Sequence, residues 1–327
     1  MSASRPISAP MSADNLPPGE RIVTIGTFDG VHRGHRRLLD QAVQRGRELN
    51  LPVTGVTFEP VPVSVLRPDA FPGRISTPEE KLERLTEAGL DEVVVVPFTI
   101  ELSRWLPEQF MTWLKEKTGL RELWVGEGFA LGKNRAGTVD RLTEIGADLG
   151  FRVVAVPRLT NGEEVVSSSR VRAAVMSGDV AAARRLLGRP FRVTGEVVHG
   201  QHLGRVIGFP TANVFPPPGL APLADGIYAA WGWLPEETDP RPAVAYVGSR
   251  PTVDGGARMV ETHILDFDGD LYGKTLSTDL LERLRPDERF DSLEALVAQM
   301  EIDKARAREV LARQGTGRAT EFGEDGV

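Results

Sequence analysis

The sequence predicts two domains of different class: an α/β domain on an open, doubly wound parallel sheet, then a small antiparallel β-barrel with a terminal helix. Three observations predict this. The 327 residues exceed a usual single core. The first half alternates short β-branched apolar runs with helical stripes, as βαβ units do. From residue 191 the pattern turns to short strand-like pieces broken by Gly and Pro, with no helix before about residue 292.

The elements follow in order. The opening MSASRPISAPMSADNLPPGE is rich in Ser, Pro and Ala and has no apolar h-region. It reads as a disordered leader over 1–19, not a secretory signal. Strands are expected at Ile22–Ile25, Val53–Phe58, Val93–Phe98, Leu123–Val125 and Val153–Val156. Continuous apolar runs of this kind suit a sheet covered on both faces. Leu38, Leu39, Ala42 and Val43 mark the first helical stripe. Thr77-Pro78-Glu79-Glu80 gives a capping box with proline at the first helical position. Phe110 and Leu114 mark a further helix, and Leu142, Ile145 and Leu149 another. The pattern changes near Gly188, so the domains are expected at 20–187 and 188–314, with the boundary between 186 and 190. The barrel pieces are RVTGEVV, GIYAAWGW, AVAYVG and the spacing at 259–267. A helix from SLEALVAQMEIDKARAREVL and a disordered tail at 315–327 complete the chain.

Composition narrows the function. Apolar residues make up 41% and charged residues 26%, an ordinary globular balance. Lys+Arg number 39 against 46 Asp+Glu, a net charge of −7, which argues against a nucleic-acid surface. The chain has no cysteine, which excludes disulfides, thiolate metal sites and thiol nucleophiles. Its longest apolar run, VVVVPF at 93–98, is too short to span a bilayer. The expectation is a soluble cytoplasmic protein without nucleic-acid or membrane partners, its oligomeric state open.

Three segments carry chemistry. GTFDGVHRGH at 26–35 lies between the first strand and the first helix. In an open parallel sheet ligands sit beyond the carboxyl ends of the strands. Glycines there admit a phosphate close to backbone N–H groups at a helix start. His32 and His35, three apart, can face one side and donate to a phosphate oxygen. The alternative is a glycine turn with two exposed histidines. The second segment, GQHLGRVIGFPTANVFPP at 200–217, places Thr211 and Asn213 two residues apart, on one side of an extended chain. A hydroxyl and an amide oxygen suit Mg²⁺ bridging ATP phosphates; a Gly/Pro hairpin with surface polar groups is the alternative. Third, VETHILDFDGDLYG at 260–273 alternates with period two, putting Glu261, His263 and Leu265 on one face.

A strand followed by GTFDGVHRGH resembles the HxGH motif of the nucleotidyltransferase superfamily in its flavin-specific form. VVSSSRVRAAVMSGDVAAARRLLGRPF resembles the SSTxxR segment of the same enzymes, and the stretch from Gly200 to Asn213 is similar to the flavokinase signature. Together, over roughly 20–312, the chain resembles the prokaryotic bifunctional riboflavin kinase/FMN adenylyltransferase (FAD synthetase) family. The resemblance implies a Rossmann-like nucleotidyltransferase domain followed by a riboflavin kinase barrel. It implies that His32 and His35 bind ATP phosphates within a loop containing Gly26, Phe28, Asp29, Gly30 and Gly34. Ser167, Ser168 and Arg172 would hold the triphosphate from the other side, Arg172 with a catalytic role. The Ser167–Ser169 run also reads as a helix N-cap. In the kinase, Gly200, Gly204 and Gly208 would shape the loop, and Thr211 and Asn213 would meet Mg-ATP. Glu261 would be the catalytic base, and Arg289 would lie near the flavin or nucleotide flap, although a salt bridge at the helix entry fits it equally. Riboflavin, FMN/FAD and ATP are the implied partners, with Mg²⁺ as cofactor.

Two departures bear on the first site. The family pattern FxPHP reads FEPVP here, with Val61 in the histidine's place. VGxDFxFG or VGxNFxFG reads VGEGFALG, with Gly128 for the Asp/Asn and Leu131 for an aromatic. Valine cannot donate to a phosphate, and losing one such anchor costs ~3 kcal/mol. The alternatives are therefore a kinase whose N-terminal domain only binds nucleotide or flavin, and a transferase using another nucleotide or a modified flavin.

Overall fold

The computed structural model describes residues 12–161, 164–200, 204, 207–235, 237–249 and 258–314. The chain divides into two compact units, Met1–Ser168 and Ser169–Val327.

In the first unit, β1 (Arg21–Ile25), β2 (Val53–Glu59), β3 (Glu92–Pro97), β4 (Leu120–Gly126) and β5 (Arg152–Val156) form one sheet in the order β3-β2-β1-β4-β5. Every pairing in it is parallel. The order runs outwards from β1 in both directions, which opens a crevice at the carboxyl ends of β1 and β4. The main helices between strands are α1 (Arg33–Leu49), the short α2 (Pro62–Leu66), α3 (Pro78–Glu87), α4 (Pro107–Thr118) and α5 (Val139–Leu149). Ile22 packs with Leu38, Leu39 and Leu85 from α1 and α3. Its neighbours Val23 and Ile25 pack with Met111, Leu114, Leu142 and Ile145 from α4 and α5. Both sheet faces are thus buried, which is why the strands read as unbroken apolar runs.

The capping box forms as expected. The Thr77 side chain accepts from the Glu80 N–H at 3.2 Å, and the Glu80 carboxylate accepts from the Thr77 N–H at 3.1 Å. Strand β4 begins earlier than expected because Glu122 is buried in it, paired with Arg45 at 3.1 Å and accepting from the Trp124 indole at 3.0 Å. The leader needs a correction over 12–19. There Ala13 and Leu16 pack on the core, Asp14 pairs with Lys117 at 2.5 Å, and the Pro17 carbonyl accepts from Arg21. Residues 1–11 and the tail at 315–327 lie outside the described residues.

The helix pair α6 (Ser168–Ser177) and α7 (Val180–Leu187) leads into the second unit. The expected break at 186–190 therefore falls at the far end of this pair. The Ala224 N–H donates to the Val175 carbonyl at 3.4 Å, and α7 packs on the first and last barrel strands. The barrel comprises β6 (Phe191–Val198), β7 (Ala212–Val214), β8 (Gly226–Trp233), β9 (Arg241–Ser249), β10 (Arg258–Ile264) and β11 (Thr275–Arg285). It closes antiparallel in the order β6-β7-β10-β9-β8-β11.

Strand β11 escapes the sequence reading because TLSTDLLERLR carries charge where a strand should be apolar. Asp279 is buried there, bound by Arg192 Nε at 2.6 Å and by Trp233 Nε1 at 2.6 Å, so its charge is matched from both neighbouring strands. The expected strand at 259–267 stops at Ile264; Asp266 has φ 55°, which turns the chain. The terminal helix α8 (Leu293–Gln314) lays Ala307 and Val310 on Ile227, Ala229 and Leu284. Asp303 of α8 accepts from Arg285 of β11 at 2.8 Å in a buried ion pair.

Candidate active sites

The loop after β1 enters α1 at His32, its N-cap. Phe28, Gly30 and Val31 take positive φ of 47°, 75° and 36°. For the two non-glycine residues this costs about 1–3 kcal/mol each and has to be held in place. The holding is visible. The Asp29 carboxylate, buried, accepts from the Ile75 N–H at 2.9 Å and the Ser76 N–H at 3.4 Å. The Gly30 N–H donates to Ser76 Oγ at 3.2 Å, and Ser168 Oγ donates to the Asp29 carbonyl at 3.1 Å. Asp29 and Ser168, expected as ligand contacts, here anchor the loop.

The two histidines come together. His32 Nδ1 accepts from the His35 N–H at 3.2 Å, and the rings stack with centroids 3.6 Å apart and planes 13° apart. Phe28 meets the His35 ring edge-on at 5.3 Å. His35 Nδ1 is buried without a hydrogen-bond partner among the described residues. Burial, and then the adjoining His32, hold the His35 imidazole well below its ordinary pKa. At neutral pH it is an uncharged donor, and a polyphosphate laid on the pair would favour its charged form. Gly26 leads into the loop, and Gly34 lies against the His32 ring. Ser167 precedes α6, and Arg172 sits one turn along that helix, counted with the second compact unit.

Val61 is buried at the N-cap of α2 with no side-chain cap. The sequence reading passed over its charged neighbours. Glu59, at the end of β2, pairs with Arg74 and with buried Lys81, each at 2.6 Å. Desolvation lowers the Lys81 pKa, opposed by Glu59. Lysine on a helical stripe otherwise apolar was the available signal.

The barrel holds a cavity of about 770 Å³, and Gly200, Gly204, Thr211, Asn213, Tyr246 and Glu261 line it. Strand pairing sets Asn213 directly opposite Glu261, and Glu261 directly opposite Tyr246. Asn213 is buried, and its Oδ1 has no hydrogen-bond partner among the described residues. A Cβ at Gly200 would lie 2.6 Å from the Asn213 amide nitrogen, so the backbone there packs against the amide with no room for a side chain. The Phe209 N–H donates to the Gly204 carbonyl at 2.7 Å, which holds Gly204 beside the segment that carries Thr211. His263 Nδ1 meets the Pro210 carbonyl at 2.8 Å, a structural tie beside Thr211. Gly208, with φ 84°, turns the chain outside the lining, and exposed Arg289 lies outside it too. Tyr246 was not foreseen. Its hydroxyl donates to Asp287 at 3.1 Å, and burial pushes its pKa up to about 12. Only strand register puts it beside Glu261.

Among the described residues no group of three or more His, Cys, Asp or Glu could hold a metal. A hard cation in the barrel would instead take the orphaned Asn213 oxygen, the Thr211 hydroxyl and phosphate oxygens of a nucleotide, a donor set that suits Mg²⁺.

A doubly wound sheet with a histidine pair at its first helix, and a barrel whose cavity is lined by a hydroxyl, an amide and a carboxylate, suit a two-domain nucleotide-using transferase. Residues 16–170 match the family model described as FAD synthetase, and residues 187–311 the one described as riboflavin kinase. The chain is 40% identical over 289 residues to the bifunctional riboflavin kinase/FMN adenylyltransferase of Escherichia coli, covering 88% of this chain and 92% of that one. The Pseudomonas fluorescens enzyme of the same name is 39% identical over 302 residues, 91% and 96% of the two chains. A solved structure described as a macrolide-efflux protein from Streptococcus pneumoniae superposes with a TM-score of 0.85 at 30% identity, covering 92% of this chain and 99% of that one. The chain belongs to the bifunctional riboflavin kinase/FMN adenylyltransferase family. Among the described residues, no helix is long and apolar enough to cross a membrane.

Proposed function

We propose that the barrel phosphorylates riboflavin to FMN and that the α/β domain adenylylates FMN to FAD, both with ATP. The observation that carries the kinase reading is Glu261 directly opposite Asn213 on the cavity wall. Thr211 and Asn213 would hold Mg²⁺, which would supply charge neutralisation for the ATP phosphates. Glu261 accepts the proton of the ribityl 5′-hydroxyl as that oxygen attacks the γ-phosphorus and ADP leaves.

In the α/β domain, His32 and His35 grip the triphosphate, with Ser167, Ser168 and Arg172 as its further holders. A phosphate oxygen of FMN attacks the α-phosphorus and pyrophosphate departs. That nucleophile is already an anion, so positioning and charge neutralisation carry the rate. The stacked, partly desolvated histidine pair supports this reading. The ATP requirement supports a cytoplasmic location.

The test is to incubate the purified protein with riboflavin, ATP and Mg²⁺ and to resolve the flavins by chromatography. FMN followed by FAD is expected. No FMN would reject the kinase. FMN without FAD would identify the second reading, a kinase with a binding-only N-terminal domain, which buried Val61 favours because it replaces a phosphate donor.

A further inference from the structure

Residue 128 has no side chain, and the space beside it is taken. A Cβ built on Gly128 would lie 1.8 Å from Nη2, 2.6 Å from Cζ and 2.8 Å from Nε of Arg158. The Arg158 guanidinium therefore lies where any other side chain at 128 would begin. Gly128 follows β4 and Arg158 follows β5, both at the carboxyl rim of the sheet where ligands bind. The Arg158 N–H donates to the Glu127 carboxylate at 3.2 Å, which ties the two loops together. Its guanidinium makes no hydrogen bond or ion pair among the described residues. Arg135 reaches the Gly128 carbonyl at 3.4 Å. A position that carries an acceptor in the family pattern thus presents a planar donor here.

Distance along the rim says what it meets. β5 is two strands from β1 in the sheet order, roughly 10 Å at about 4.8 Å per strand. That sets Arg158 to one side of the phosphates gripped by the histidine loop, where a ring system attached to them would extend. A guanidinium stacks on flat rings and donates to carbonyl oxygens. The isoalloxazine ring of FMN offers carbonyls, whereas adenine has none.

We propose that Arg158, admitted by Gly128, is a specificity-determining residue that contacts the isoalloxazine ring of the adenylyl acceptor. The inference rests on the transfer reaction proposed above. The test measures FAD formation in Arg158→Ala, Gly128→Asn and the double variant, with FMN and ATP varied separately. Circular dichroism spectra and melting curves of the same preparations, in which the α/β unit contributes its own helices, control for folding. Arg158→Ala should raise KM for FMN about tenfold while kcat and KM for ATP change less than about twofold. Gly128→Asn should displace the guanidinium and give the same shift, and the double variant should be no worse than either single one. An unchanged KM for FMN, a rise in KM for ATP instead, or additive losses in the double variant would overturn the proposal. If the unmodified protein makes no FAD, the transfer reading falls, and this inference falls with it.

Discussion

Single residues divide the two activities. Glu261→Gln keeps the shape of the cavity wall and removes the proton acceptor, so riboflavin phosphorylation should fall about 10²–10⁴-fold. FAD formation from supplied FMN should persist, and separate assays of the two reactions check this. His35 gives a pH signature. Its folded pKa lies well below the ordinary value, so the unfolded chain binds more protons over that interval and stability rises with pH across it. Its contribution is fully present above about pH 6.5, the unfolded value, and declines as the pH falls below that. Melting temperature measured from neutral pH downwards should fall below about pH 6.5, and His35→Asn should flatten that slope. Glu261, Thr211, Asn213 and the histidine pair were legible because each lies in a contiguous motif. Tyr246 and Arg158 were not. Tyr246 reaches the site through strand register and Arg158 through the space left by a glycine, and neither relation has a local sequence signal.

At the level of elements, α8 is fastened by the buried Arg285–Asp303 pair, to which Gln299 adds a hydrogen bond at 3.0 Å. Asp303→Ala would leave the guanidinium buried without its partner, a loss of about 3–5 kcal/mol. Urea unfolding should show it as a lowered midpoint. Thr77→Ala removes one half of the α3 capping box and should cost about 1 kcal/mol by the same measurement. Helices α1 and α3 to α5 were readable from apolar stripes and caps. Strand β11 was hidden because its buried Asp279 is matched by Arg192 and Trp233, residues far away in sequence. Burial of a paired charge defeats any reading based on apolar periodicity.

On the scale of the molecule, the two fold classes were legible, since a change from βαβ alternation to short Gly- and Pro-broken strands is a large signal. The joint was less so. It looks like a break at Gly188 because the barrel strands start there, yet contacts assign α6 and α7 to the barrel's unit. A kinase fragment beginning at residue 169 should therefore melt cooperatively and at higher temperature than one beginning at 188, as circular dichroism would show. The pair is in effect a buttress that travels with the barrel. Anyone exchanging catalytic cassettes between relatives would do well to place the crossover ahead of it, because a graft spliced at the motif border would transplant the barrel stripped of its own support.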